Sequence, residues 1–181
     1  MSNDINTASL YSRILGPALD RLPETLRAVH DRRCRKQYSG RCRVQRGPGW
    51  LANFIADAAR LPATNDDMPV SVVIESTERG ETWTRMFGRQ RMRSTMRVRN
   101  GALEENLGLT TLTFSLRAEG GSILWTLQRA RVLFMPVPLA LFSGTAAQES
   151  LVDGRYCFDV RAALGGRLLI HYHGWLVDHG G

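Results

Sequence analysis

Lysine is almost missing from this chain, although the chain is strongly basic. Lys36 is the single lysine among 24 basic residues, and the 181-residue sequence carries a formal net charge of +7. Arginine binds phosphate and carboxylate groups through two parallel hydrogen bonds, which lysine cannot do. A genome whose codon composition favours arginine is an alternative explanation for arginine in place of lysine, but it would not explain the positive net charge. The composition therefore favours an anionic partner, such as a nucleic acid, an acidic lipid surface or an anionic ligand.

Paired cysteines and long apolar runs are also lacking. Cys34, Cys42 and Cys157 form no Cys-x-x-Cys motif and no even set, which is typical of a reducing compartment. The longest apolar run, Val132–Phe142, has 11 residues and contains two prolines, whereas a membrane-spanning helix needs roughly 20 residues. The first residues are polar and show no signal-peptide pattern. We therefore expect a cytoplasmic protein that does not cross a membrane.

The motifs of common enzyme classes are absent from the sequence. There is no Gly-x-Ser-x-Gly elbow, no phosphate-binding loop and no βαβ pattern that holds a nicotinamide cofactor. Glu104 and Glu105 are adjacent, and neighbouring residues of a strand point to opposite faces, so these two carboxyl groups cannot flank one substrate. The sequence identifies no catalytic residue and no cofactor, which favours a non-catalytic domain.

The first third of the chain has a helical pattern. Thr7 is a suitable cap for a first short helix, and Leu22-Pro23-Glu24 opens a second one. A first strand is expected near Gly40–Gln45. The apolar spacing after it predicts a helix over Trp50–Leu61, which would pack on the sheet or plug one end of it.

From Pro69 onward the apolar residues alternate with polar ones, and glycine-containing turns separate the runs. We expect an α+β fold that is predominantly antiparallel β, a curved sheet or barrel of eight to ten strands with two N-terminal helices and one helix after the first strand. Residues 1–181 are expected to form a single domain, in which a helical segment (1–35) precedes a helix and an antiparallel meander (40–178).

One strand defines its own register. Asn100-Gly101 is the preferred pair for a two-residue hairpin turn, and the residues before it alternate between two faces. One face carries Arg91, Arg93, Arg97 and Arg99, and the other carries Met92, Met96 and Val98. The methionine face is expected to be core.

Three interpretations of the arginine face remain open. It is a solvated or charge-protected face, or it binds anions, or one or two arginines meet a ligand's carboxylate inside a barrel. For anion binding, Trp83, Arg85 and Phe87 on the preceding strand would have to lie beside Arg91 and Arg93 and interleave with them. No nucleic-acid-binding signature accompanies the arginines, which makes a nucleic acid the least favoured anion.

The last strand of the pattern carries His171, His173 and Trp175 on one face. Two histidines at this spacing are able to bind one metal ion if Glu149 or Asp159 supplies a third ligand from a neighbouring strand. Alternatively they are half-buried histidines bonded to cross-strand partners, or a surface pair, and we assign no metal site from spacing alone.

The segment from Arg129 to Phe142 combines a basic start with an apolar, proline-containing body. We expect a connection that faces the core. The alternatives are a site for an anionic membrane surface, a cap over a barrel mouth and a patch for a partner.

Several stretches resemble a bacterial family of unknown function, number 4166. They are Leu10–Pro23, Leu26–His30, Gly40–Gly47, Trp83–Gly88, Glu149-Ser150, Gly154–Val160 and His171–Leu176. Members of such families look to be fused behind nicotinamide-binding modules similar to saccharopine dehydrogenases or epimerases. The resemblance therefore implies an accessory domain beside a nicotinamide-dependent reductase, or a stand-alone ligand-binding domain, and it carries over no catalytic residue.

Our leading hypothesis is a non-catalytic accessory or ligand-binding module for a small hydrophobic or anionic ligand. Its candidate lining residues are Trp83, Arg85, His171, His173 and Trp175. The first alternative is an interaction module whose arginine face docks an acidic partner, a lipid surface or a nucleic acid. The second is a metal-assisted enzyme that uses His171 and His173.

Overall fold

Antiparallel strands dominate the computed structural model, which describes residues 8–30, 35–50, 53, 56–57 and 61–178. These residues contain two α-helices and eleven strands. The helices are α1 (Leu10–Leu15) and α2 (Glu24–His30), and a 3₁₀ helix (Gly16–Arg21) joins them. The strands are β1 (Arg35–Arg46), β2 (Asn65–Thr77), β3 (Gly80–Phe87), β4 (Gln90–Arg99), β5 (Ala102–Leu107), β6 (Thr110–Glu119), β7 (Ser122–Val132), β8 (Met135–Val137), β9 (Ala146–Val152), β10 (Arg155–Leu164) and β11 (Arg167–Asp178).

Ten of these strands close into a barrel. Neighbours along the chain pair in order from β1 to β7, β7 then pairs with β9, and β11 returns to pair with β1. β8 adds a short edge to the far half of β7. Closure leaves none of the ten barrel strands with an unpaired edge. The predicted antiparallel barrel is confirmed, with ten strands in the ring and β8 as an extra strand.

The register of β4 is as the sequence predicts. Met92 and Met96 are buried, whereas Arg91, Arg93, Arg97 and Arg99 are exposed on the outer face. However, the predicted interleaving of these arginines with Trp83, Arg85 and Phe87 is wrong. Arg85 lies opposite Met92, and Arg91 lies opposite Met86. The even positions of β4 therefore share a face with the odd positions of β3, and Trp83, Arg85 and Phe87 point into the barrel.

The two N-terminal helices cover one end of the barrel. α1 contacts β4, β5 and β6, and α2 contacts β9 and β10. Ser9 caps α1 by accepting a hydrogen bond from the Ser12 backbone N–H at 3.1 Å, while Thr7, the expected cap, lies outside the described residues. Tyr11, Leu26 and His30 are fully buried against the interior. None of the helices in the described ranges has the length and apolar character needed to cross a membrane.

The helix predicted over Trp50–Leu61 falls largely outside the described residues. Asn53, Ala56 and Asp57 are described and helical. The Leu61 carbonyl accepts a hydrogen bond from Gln90 Nε2 at 2.8 Å. Gln90 begins β4, so this contact lies at the end of the barrel away from α1 and α2. The plug near the cavity is formed by the N-terminal helices.

The apolar segment around Val132–Phe142 is exposed, and the expected core-facing connection is therefore wrong. Leu133, Phe134 and Met135 form the tip of the β7–β8 hairpin, and Phe134 is 93% exposed. Leu139 and Leu141, in the 3₁₀ helix Leu139–Phe142, are also exposed. The hairpin turns beyond the point where β7 last pairs with β6, so its tip has no barrel interior to enter.

Two glycines allow β1 and β11 to approach closely at the closing seam. Gly40 and Gly174 lie opposite Leu176 and Cys42. A Cβ atom at Gly174 would collide with the Arg41 carbonyl oxygen and lie 2.7 Å from the Cys42 Cα. These are backbone atoms of a paired strand, which cannot move aside without disturbing the seam.

Replacement of Gly174 by alanine tests this seam. Gly174→Ala is expected to lower the free energy of unfolding by roughly 1–3 kcal/mol, because the added methyl overpacks a backbone contact. Ser115→Thr adds one methyl on the exposed face of β6 and serves as the control, with little change expected. Urea denaturation measures both. Equal stability of the two variants would contradict the close approach at the seam.

Candidate ligand-binding cavity

A cavity of about 80 Å³ lies inside the barrel. Its walls come from the inward positions of β2, β3, β5, β6, β7, β9, β10 and β11 and are mostly aliphatic and aromatic. Arg85, Glu105, Glu149 and Tyr156 are the main polar side chains among them. A cavity of about 150 Å³ holds benzene in an engineered protein, so this one suits a smaller molecule or one group of a larger one.

The structure places only two of the five candidate lining residues at the cavity. Trp83 and Arg85 line the cavity. His171, His173 and Trp175 are on the outer face of β11, so the expectation that they line the interior is wrong. Ile170, Tyr172 and Leu176 take the buried positions of this strand. The three predicted residues do share one face, but it is the opposite one.

His30 joins the helical plug to the cavity wall. It is the last residue of α2, and its Nε2 lies 2.5 Å from Glu149 Oε2 on β9. The Tyr11 ring stacks on the His30 ring, with centroids 3.6 Å apart. Glu149 also accepts a hydrogen bond from Tyr156. Glu149 therefore faces the interior and is unable to act as a metal ligand beside His171.

Arg85 and Glu105 form a second buried polar pair. Their Nη1 and Oε1 atoms are 3.6 Å apart, and both side chains are nearly buried. Arg85 Nη1 donates a hydrogen bond to Ser94 Oγ at 2.9 Å, and its guanidinium lies 4.9 Å from the centre of the Trp83 ring. Burial has the largest single effect and lowers the pKa of Arg85, but the combined attraction to Glu105, Tyr172, Tyr156 and Tyr11 outweighs it, and the pKa is raised overall. The guanidinium therefore remains a cation inside the barrel.

Glu81 is a third buried acid. Burial raises its pKa above the ordinary value of 4.5, although the hydrogen bond that Trp83 Nε1 donates to Glu81 Oε2 at 2.9 Å lowers it. Burial likewise raises the pKa of Tyr172 to about 12. The pKa values of Tyr11 and Tyr156 are raised well above 10.0, again chiefly by burial. These phenols stay protonated at neutral pH and are therefore able to donate hydrogen bonds.

Three buried polar atoms around the cavity have no partner among the described residues. They are Tyr11 Oη, His30 Nδ1 and Trp125 Nε1. Trp125 lines the cavity, and its ring contacts that of Tyr11 at 6.1 Å between centroids. A buried donor without an acceptor costs roughly 1–3 kcal/mol. The arrangement therefore suits a molecule that brings a hydrogen-bond acceptor into the barrel.

On the outer face, Asp159 comes to lie beside His171 and His173. His171 Nε2 is 2.9 Å from Asp159 Oδ1, and one potential ligand atom from each of the three residues lies within 4.8 Å of the others. His173 Nδ1 is buried and has no partner in the described part of the chain. Trp175 takes no part and is covered by the Arg155 guanidinium at 4.7 Å.

The arginine face of β4 is partly occupied by intramolecular contacts. Glu104 is buried on this outer face, and its carboxyl group contacts Arg97, whose Nε donates at 2.7 Å, and Arg99 at 3.8 Å. A buried carboxylate needs such partners, so these two arginines have a structural role. Arg91 and Arg93 are exposed, and no ion pair of theirs is found within the described ranges.

Sequence reasoning missed the contribution of the N-terminal helices to the site. Tyr11 and His30 are the residues concerned, together with Glu105, which was considered only as half of an adjacent acidic pair. A signal for His30 existed, because it follows Leu26 by four residues and therefore lies on the apolar stripe of α2. Its partner is 119 residues away in sequence, and no local pattern identifies such a contact.

Comparison with known proteins identifies a family and no activity. The model of a family described as a domain of unknown function, DUF4166, matches residues 22–176. The chain belongs to this family, as the sequence resemblance indicated. A search of curated proteins finds no match.

The buried Glu81 gives a prediction for pH dependence. An acid whose pKa is raised in the folded state destabilises the fold once it ionises. Its stabilising contribution is complete below pH 4.5 and is lost as the pH rises through the folded-state value. Glu81→Gln has no carboxyl group to ionise and therefore avoids this loss. As the pH rises from 4.5 to neutrality, the free energy of unfolding of Glu81→Gln should increase relative to that of the wild type.

Urea denaturation at several pH values measures this gain. The control is Glu75→Gln, which replaces an exposed carboxylate on β2 and should show no such trend. A constant difference between Glu81→Gln and the wild type over this pH range would contradict the assigned effect of burial.

Proposed function

We propose that this member of the DUF4166 family binds a small, mostly apolar and uncharged molecule inside its barrel. The observation that carries the proposal is the interior cavity with unpartnered donors beside it. Apolar walls favour an apolar body, while a few placed polar groups fix its orientation. One carbonyl or hydroxyl oxygen on the ligand would accept the hydrogen bonds that Tyr11 or Trp125 leave unused.

The charges of the cavity support a neutral ligand more than an anionic one. Among the described residues, Arg85 is the one guanidinium that lines it, and Glu105 already lies beside this group. Glu149 adds a second carboxyl group, which His30 and Tyr156 contact. An anion would have to displace Glu105 from Arg85 while staying close to Glu149. Such exchange of buried charges is costly.

Filling the cavity tests the proposal. Val72 lines the cavity, and Val72→Phe should reduce the affinity for acetone, a neutral probe smaller than benzene, at least about tenfold because the added ring occupies the ligand's volume. Val73→Phe places the same ring on the opposite face of β2 and should leave the affinity unchanged. Titration followed by NMR, with acetone and with its anionic counterpart acetate, measures the affinities of the wild type and of both variants. If Val72→Phe fails to fold, Ala147→Leu fills the cavity from β9.

Three outcomes would contradict the proposal. They are unchanged acetone binding in the filled variants, tighter binding of acetate than of acetone, and no binding by the wild type together with no co-purified molecule in native mass spectrometry. An accessory role beside a nicotinamide-dependent module, and docking of an acidic partner on the arginine face, stay predictions that this experiment does not address.

A second candidate function is metal binding at Asp159, His171 and His173. Two imidazoles and one carboxylate form a set that suits Zn²⁺ and similar divalent metals. Three protein ligands also leave a position for water, which a bound metal activates in hydrolytic enzymes. The observation in its favour is the approach of Asp159 to both histidines, together with the unused His173 Nδ1.

Zinc titration by calorimetry tests this second function. His171→Ala and Asp159→Asn should each weaken the affinity for Zn²⁺ about tenfold or more, since each removes one of three ligands. Cys157→Ser removes the half-buried thiol two residues from Asp159 and should retain binding. Absence of binding by the wild type, or its loss only in Cys157→Ser, would exclude the site.

A further inference from the structure

The end of the barrel away from the N-terminal helices exposes an apolar surface. Of the ten large apolar residues that are exposed in the described ranges, seven lie there, at the turns that follow β5 and β7 and in the segment that follows β8. They are Leu109, Val132, Leu133, Phe134, Met135, Leu139 and Leu141, which we call the apolar rim. Exposed apolar residues are ordinary when scattered, but a contiguous patch marks an interaction site.

Backbone hydrogen bonds hold the parts of the apolar rim together. The Leu133 N–H donates to the Leu109 carbonyl at 2.9 Å, which joins the β7–β8 hairpin to the β5–β6 turn. The Gly165 N–H donates to the Leu141 carbonyl at 2.6 Å, which joins the 3₁₀ helix to the β10–β11 turn. The rim is therefore an ordered surface made of adjacent turns.

The tip of the β7–β8 hairpin has a sequence that folding alone does not favour. Leu133 and Phe134 have φ angles of 51° and 68°, in the left-handed region that large side chains avoid. Other hairpins of this chain place Asn100-Gly101, Gly120-Gly121, Asp153-Gly154 and Gly165-Gly166 in such conformations. Two large apolar residues here increase the conformational energy and expose Phe134. Strain of this kind is typical of functional sites.

The segments that form the apolar rim carry charge of one sign. Residues 129–142 contain Arg129 and Arg131 and no acidic residue, and residues 107–111 contain no charged residue. Arg167 begins β11 at the neighbouring turn. A protruding apolar tip with arginines behind it matches a bilayer surface, in which anionic headgroups lie above the acyl chains.

We propose that the apolar rim docks onto an anionic lipid surface. Leu133, Phe134 and Met135 enter the boundary between headgroups and acyl chains, while Arg129 and Arg131 contact lipid phosphates. The tip is convex, so a protein partner would need a matching apolar groove, whereas a bilayer admits the side chains without one. The proposal is independent of what the interior cavity binds.

Vesicle co-sedimentation tests the proposal with the whole chain. The wild type should bind vesicles of phosphatidylcholine and phosphatidylserine at low salt, and should bind pure phosphatidylcholine vesicles more weakly. Leu133→Asn with Phe134→Gly introduces a favoured hairpin pair. This double variant should lose vesicle binding roughly tenfold or more, and its melting temperature should rise because the strained turn is relaxed.

Controls separate the rim from other features. Val152→Ser removes an exposed apolar side chain near the opposite end of the barrel and should leave binding unchanged. Arg129→Gln with Arg131→Gln should weaken binding to anionic vesicles only. Absence of wild-type binding, equal binding by the double turn variant, or self-association through the rim in light scattering without vesicle binding would each overturn the proposal.

Discussion

The contact between His30 and Glu149 connects the two parts of this protein. One partner ends a helix of the N-terminal plug, and the other lies on the inner wall of the barrel. Both side chains are buried, and each would be left without its main polar partner if the plug moved. The stacked ring of Tyr11 fixes the orientation of His30. This contact therefore sets how deeply the plug enters the barrel and forms the polar end of the cavity.

Alternation along the strands made most of the fold predictable. Asn100-Gly101 and the methionine face of β4 gave a register that the structure confirms. Closure followed because a long meander leaves costly edges unless its ends meet. The same alternation did not predict which face of β11 is buried, because both faces carry large ring-bearing side chains. Tyr172 lies on one face, and His171, His173 and Trp175 lie on the other. Gly174, on the inner face, also gave no apolar signal for that side.

The site was less predictable than the fold, for a physical reason. Arg85 and Trp83 were found because their strand is clearly patterned. His30 and Glu149 meet across 119 residues, and the benefit of their contact arises only when the barrel has closed. The exposed tip at Leu133 and Phe134 was missed because an apolar segment is expected to be buried. Its left-handed backbone is visible only in three dimensions.

A double-mutant cycle of His30→Phe and Glu149→Leu tests the central contact most directly. Each single variant leaves one buried polar group without its partner, whereas the double variant replaces both by apolar groups of similar size. We predict that the double variant is more stable than the sum of the single losses implies, by about 1.5–3 kcal/mol in the free energy of unfolding. Additive losses, within roughly 0.5 kcal/mol, would show that His30 and Glu149 do not hold the plug in the barrel.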